Sequence, residues 1–232
     1  MHNRPNAVML FAAGFGTRMG ALTATRPKPL IAVAGRPLID HALAHVRDYG
    51  ASRVVVNTHY LGGQIAAHLA DSEVLISDEQ PDILDTGGGL RAALPLLGDG
   101  PVITMNTDAV FAGPNPLHLL ARAWADAAVQ DGALLLCIAP ARALAHDGAG
   151  DFTLLPDGRA RRGGGAIYTG VQILHGSEMA RMPAGAFSLN LLWDALLAEG
   201  RLRAILYSGR WCDVGHPEGV ATADSLLGHD DV

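Results

Sequence analysis

Short apolar runs alternate with longer stretches of helical periodicity along most of the chain, and this alternation limits the fold more than any other feature. Residues 7–12 (AVMLFA) read as a buried strand. Residues 37–49 read as a helix with Leu38, Ala42, Leu43 and Val46 on one face. Pro37 suits its first turn and Gly50 its stop. Residues 53–57 (RVVVN) make a second strand, 63–70 a short helix and 73–76 a third strand. A helix over 88–97, a buried strand over 101–105 (PVITM), a helix over 117–129 and a strand over 133–139 follow. Between residues 140 and 165 the pattern loosens into turns, Asp147-Gly148-Ala149-Gly150-Asp151 and Pro156-Asp157-Gly158, which suit a hairpin. Strand character returns over 166–174, then a helix over 188–199 and a last strand over 203–207. The repeated strand–helix order predicts an α/β fold with a doubly wound, mostly parallel sheet. With no repeat and no linker long enough to split it, the chain reads as a single domain over 1–232.

Charge and composition exclude several functions. The formal net charge of −6 argues against a nucleic-acid binder or an acidic-membrane binder, which carry basic fields. It leaves room for a small phosphorylated ligand, which needs only a few local donors. Of the 17 Lys and Arg residues only Lys28 is a lysine, so any step that requires one falls to it. Cys137 and Cys212 lie far apart and make neither a C-x-x-C pair nor a zinc pattern. The first residues lack the apolar stretch of a signal peptide, and no apolar run approaches the ~18 residues of a membrane span. A cytoplasmic protein is expected; nothing in the sequence specifies an oligomeric state.

The segment Leu10-Phe11-Ala12-Ala13-Gly14-Phe15-Gly16-Thr17-Arg18-Met19 follows the first strand, at the sheet edge where open α/β folds bind ligands. Gly14 and Gly16 let the backbone approach a phosphate, Thr17 adds a hydroxyl, and Arg18 adds a fixed charge. The dinucleotide fingerprint fails at Met19 and the P-loop pattern is absent, so the turn alone also fits an ordinary strand-to-helix connection. Ten residues after Arg18 stands Pro27-Lys28-Pro29-Leu30, where two prolines stiffen the backbone around the lone lysine. Asn106-Thr107-Asp108 ends the fourth strand and Trp211-Cys212-Asp213-Val214-Gly215 offers a second acid far downstream. Each Asp alone suits a turn or helix cap. As a pair they suit magnesium, which takes one or two carboxylates together with substrate phosphates. His41 and His45 are spaced i, i+4, but no third zinc ligand is evident, and they read as exposed helix residues.

AAGFGTRM followed by RPKPL resembles the signature of the sugar-1-phosphate nucleotidyltransferases. Asp108 and Asp213 resemble that family's N-G-D and W-x-D-V-G acids, with Thr107 in place of Gly. Gly215-His216-Pro217-Glu218 is similar to its G-T-P-E ending, so the likeness runs from residue 10 to residue 218. It implies a Rossmann-like nucleotidyltransferase fold with a small sugar-side subregion over about 140–205. It implies that Ala12, Ala13, Gly14, Gly16 and Thr17 hold a nucleoside triphosphate. Arg18 then contacts its phosphates, Lys28 stabilises charge at the reacting phosphorus, and Asp108 and Asp213 bind Mg2+. Asp85-Thr86-Gly87-Gly88-Gly89, read as a glycine loop before a helix, is similar to the family's base-pocket segment; Thr86, Gly87, Gly88 and Gln80 are expected there, with Asn106 nearby. Tyr168-Thr169-Gly170 is similar to a segment near the sugar, which brings in Gly170. Asn190 either reaches the sugar or caps its helix; Arg161, Arg162 and Arg210 either hold the sugar phosphate or are solvated. Within the family the short length, D-T-G-G-G and G-R-W-C-D-V-G look similar to the enzymes that join UTP to N-acetylmuramate 1-phosphate. Guanylyl transfer to mannose 1-phosphate is the nearest alternative, and a non-catalytic nucleotide-sensing module the alternative of another class.

Overall fold

The computed structural model describes residues 4–125 and 132–228. Its strands are β1 (Ala7–Phe11), β2 (Ala32–Val33), β3 (Arg36–Pro37), β4 (Arg53–Thr58), β5 (Leu75–Asp78), β6 (Pro101–Asn106) and β7 (Ala109–Ala112). They continue as β8 (Ala133–Ile138), β9 (Ala143–Leu144), β10 (Phe152–Leu154), β11 (Ala160–Arg162), β12 (Ile167–His175), β13 (Leu202–Leu206) and β14 (Arg210–Asp213). The helices are α1 (Leu38–Tyr49), α2 (Gly62–His68), α3 (Asp85–Leu97), α4 (Pro116–Trp124), α5 (Leu189–Ala198) and α6 (Pro217–Gly228).

Seven strands form the central sheet in the order β13-β8-β12-β6-β1-β4-β5. β1 pairs in parallel with β4 on one side and β6 on the other, and β5 extends the parallel part beyond β4. β12 runs antiparallel to both β6 and β8, while β13 lies parallel to β8. The chain leaves β1 toward β4 and later returns to β6 on β1's other side, so β1 marks the switch point where such sheets open a crevice. Alternate residues of β1 feed cores on opposite faces. Val8 and Leu10 join Ile39, Leu43, Leu117 and Trp124 from α1 and α4. Ala7 and Met9 join Leu90, Leu97, Leu192 and Leu196 from α3 and α5. Every residue of AVML is buried because helices cover both faces.

The stretch 140–205 is woven into this framework: β12 and β13 belong to the main sheet, and the β10–β11 pair forms the expected hairpin around Pro156-Asp157-Gly158. The helix expected over 117–129 appears as Pro116–Trp124, with 126–129 outside the described residues. Two expectations are corrected. Residues 203–207 are not the last strand, because β14 follows, pairing with β7 and β9 in a separate three-stranded sheet. The helix expected over 88–97 starts earlier, at Asp85, so the whole triplet Gly87, Gly88 and Gly89 lies inside its first turns rather than forming a loop before it. No helix among the described residues is long and apolar enough to cross a membrane.

His41 and His45 also depart from the exposed reading. The His41 ring meets the Val33 carbonyl at 2.9 Å, and the half-buried His45 ring stands edge-on to Phe111 at 5.8 Å. Burial, then the neighbouring His41, lowers the His45 pKa from 6.5 to about 4. His45 stays neutral in the fold while the unfolded chain takes up a proton near 6.5, so acid favours unfolding. This group's contribution therefore falls as pH drops from 6.5 to about 4, and does not change further below that. Thermal melts across that window should show a steeper loss of Tm for the wild type than for His45→Phe. Identical slopes would rule out this origin.

Candidate active site

The carboxyl ends of the parallel strands converge on a cleft of about 280 Å³. Phe11 ends β1 and Ala12 follows it, Asn57 sits near the end of β4, Glu79 follows β5 and Asn106 ends β6; all five line the cleft. Three hydrogen bonds tie these ends together. The Ala12 N–H donates to Asn57 Oδ1 at 2.8 Å, Asn57 Nδ2 donates to Glu79 Oε1 at 2.6 Å, and the Leu84 N–H donates to Glu79 Oε2 at 2.8 Å. A carboxylate 2 % exposed requires such donors, and the chain supplies amides rather than a cation. The glycine turn passes over the cleft mouth, with Ala13, Gly14, Gly16, Thr17 and Arg18 among the lining residues. Gly16 has φ 63, and a Cβ there would stand 2.9 Å from Thr23 and 3.0 Å from Lys28, so both backbone and space call for glycine.

Lys28 is 8 % exposed and its Nζ lies 2.8 Å from Asp108 Oδ2. Burial of an ammonium is tolerated because this carboxylate faces it. Asp108 sits in the turn between β6 and β7, a turn anchored where Thr107 Oγ1 donates to the Phe11 carbonyl at 2.7 Å. Thr107 thus takes a structural bond that the family's glycine could not make. The β7–β14 ladder sets Asp213 opposite Ala109, and the Val214 N–H donates to the Asp108 carbonyl at 2.9 Å. Two acids far apart in sequence therefore become neighbours at one strand end. Gly215 lines the cleft beside them: a Cβ there would lie 3.0 Å from Asp213 Oδ1 and 3.1 Å from Arg18 Nη1.

Other candidates fall elsewhere. Thr86 lines the cleft, but Gln80 is exposed and does not; its neighbour Glu79 takes the lining position. The N–H groups of Gly87 and Gly88 both donate to the Phe187 carbonyl, at 2.9 and 3.1 Å, and neither residue lines the cleft. These two glycines are small because Phe187 and the Gly185 backbone pack against them. Gly170 is buried behind Asn106, where a Cβ would come within 2.8 Å of the Asn106 side chain. Asn190 is exposed on α5, and its Oδ1 accepts from Arg162 at 2.9 Å. Arg162 also pairs with Asp194 at 2.8 Å. The Cys212 thiol, buried beside Asp213, is pushed up to about 12, which removes it as a nucleophile.

With this geometry in place, comparison with known proteins decides the family. A profile of the MobA-like NTP transferase domain matches residues 8–178, from β1 through most of the central sheet. The chain belongs to the MobA-like NTP transferase family. It is 39% identical to the N-acetylmuramate alpha-1-phosphate uridylyltransferase of Caulobacter vibrioides, over 98% of this chain and 99% of that protein. It is 33% identical to the Neisseria meningitidis enzyme of the same name, over 95% and 97% of the two chains. The fold is shared with HddC from Yersinia pseudotuberculosis at a TM-score of 0.76 and 20% identity, over 95% and 99% of the two chains. The chain is a nucleotidyltransferase.

In this NTP transferase several lining residues escaped the sequence reading as site residues: Phe11, Pro29, Asn57, Ile83, Asp85 and Gly215. Asn57 carried a usable signal, a polar residue closing an apolar strand at the same edge as the glycine turn. Behind the Asn57–Glu79 pair, at Gly89, a Cβ would run into the Glu79 carboxylate and lie 2.9 Å from Asn57 Nδ2. Ala replaces Gly inside a helix with a gain of about 1 kcal/mol where space allows. Here the added methyl breaks into the Asn57–Glu79 pair, so Gly89→Ala should instead destabilise by about 1–3 kcal/mol. Urea unfolding measures this, and a stabilised variant would contradict the packing.

Proposed function

We propose that the chain transfers a uridylyl group from UTP to N-acetylmuramate 1-phosphate, giving the nucleotide sugar and pyrophosphate. The observation that carries the reading is the Lys28–Asp108 pair at 2.8 Å, set under the glycine turn at the switch point of the sheet. The base and the sugar follow the two relatives matched along nearly their whole length. We assign the protein to the cytoplasm, where UTP is available, and its product to the recycling of cell-wall amino sugars.

The sugar phosphate oxygen attacks the α-phosphorus in line; a P–O bond forms to it as the bond to pyrophosphate breaks. The nucleophile is anionic near neutral pH, so positioning and charge neutralisation replace general-base catalysis. The backbone of Ala13–Thr17 approaches the triphosphate, and Arg18, at the cleft rim, faces its oxygens. Lys28 holds positive charge beside the reacting phosphorus, kept in place by Asp108. Thr86 and the Glu79-supported wall border the base, and Asn106 stands at the start of the sugar side.

The carboxylates of Asp108 and Asp213 fit magnesium. Each has one oxygen, Oδ2, engaged by Lys28 or His146, and Oδ1 accepts no hydrogen bond among the described residues. No group of three or more His, Cys, Asp and Glu converges as a metal site among the described residues, so substrate phosphates and water complete the ligand set. Bound there, the ion would neutralise charge on the α-phosphoryl oxygens.

Pyrophosphate release measured over UTP, GTP, CTP and ATP against several sugar 1-phosphates should peak for UTP with N-acetylmuramate 1-phosphate. A maximum for GTP with mannose 1-phosphate would replace both substrates, and no release with any pair would leave a binding module. Lys28→Ala should lower kcat by about 10²-fold or more with a near-normal melt. Unchanged turnover would remove Lys28 from the reaction.

A further inference from the structure

We propose that His146 is a positioning residue that holds the carboxylate of Asp213 in its metal-binding orientation. The inference rests on Asp213 being a metal ligand, as argued above.

β9 runs parallel to β14, with Ala143 opposite Trp211 and Leu144 opposite Cys212. The chain therefore leaves β9 beside Asp213. Its next residue, Ala145, has φ 53, a left-handed conformation that a residue with a Cβ adopts only when its surroundings impose it. The turn delivers His146 Nδ1 to 3.4 Å from Asp213 Oδ2. The ring is then enclosed. Trp211 meets it at a centroid distance of 5.6 Å and 61°. Gly148 folds back over it so closely that a Cβ would stand 3.2 Å from both Cδ2 and Cε1. The His146 and Asp213 side chains are 23 % and 18 % exposed. A solvated surface histidine needs none of these features.

The consequence is a division of labour between the two Asp213 oxygens. Oδ2 faces the imidazole, while Oδ1 lies on the side of Gly215, which together with Arg18 lines the cleft. A hydrogen bond to one oxygen fixes the plane of the carboxylate, so the other meets the ion without first losing rotational freedom. Partners of this kind commonly change metal affinity 10- to 100-fold when removed.

The test separates the ring from its donor. His146→Phe keeps the ring under Gly148 and against Trp211 but cannot donate; His146→Asn loses the ring but carries an amide N–H near the place of Nδ1. Mn2+ affinity is read by electron paramagnetic resonance in the presence of a non-hydrolysable UTP analogue, with thermal melts on the same samples and Asp213→Asn alongside. The expected result is a dissociation constant raised about 10-fold or more in His146→Phe and close to wild type in His146→Asn. His146→Leu serves as a second donor-free variant should the Phe form fail to fold. Wild-type affinity in the donor-free variants, or equal weakening in His146→Asn, overturns the role of His146 while Asp213→Asn stays weak. Wild-type affinity in Asp213→Asn overturns the metal role of Asp213, and the inference with it.

Discussion

The antiparallel ladder of β7 and β14 carries the site, because it brings residue 213 beside residue 108. β6 ends at Asn106 within the main sheet; the chain then turns through Asp108, with Thr107 bonded back to the end of β1. From there β7 leaves the main sheet and waits for a strand that arrives more than ninety residues later. The register is set by burial: Val110 and Cys212 face each other in a third core beneath α6, with Met19, Val33 and Leu226. A slip by one residue would turn these side chains outward and carry Asp213 away with them. The same small core holds Met19, so the end of the glycine turn and the second acid share one support.

Two buried charges at the cleft are handled differently, and the difference has functional sense. Lys28 is countered by a carboxylate, an arrangement a polyanionic ligand can exchange for its own charge. Glu79 has its two carboxylate oxygens held by amide donors, the Asn57 side chain and the Leu84 N–H. That arrangement contains no mobile partner and serves to lock the ends of β1, β4 and β5 to the start of α3.

The strand–helix order, the glycine turn, the lone lysine and Asp108 were legible because each depends on local pattern: apolar period, φ > 0, proline stiffening, a strand end. β14 was not, since Arg-Trp-Cys-Asp is four residues long and reads as a turn without its partner. The glycine triplet was misread for a related reason. Glycine costs about 1 kcal/mol in a helix, and only tertiary contact with Phe187, Gly185 and Glu79 makes its missing side chain necessary. Glu79 and Gln80 are adjacent, and which of them faces inward depends on how the chain leaves β5. His146 depends on the β9–β14 pairing and on a left-handed alanine, neither of which has a sequence signature.

The most direct measurement is a crystal structure grown with Mn2+ and a non-hydrolysable UTP analogue, read at the manganese absorption edge. An anomalous peak bridging Asp108 and Asp213, with the triphosphate along Gly14–Thr17 and the base against Thr86, is the expected result. A peak away from both carboxylates, or a nucleotide seated outside the cleft, would contradict the shared site.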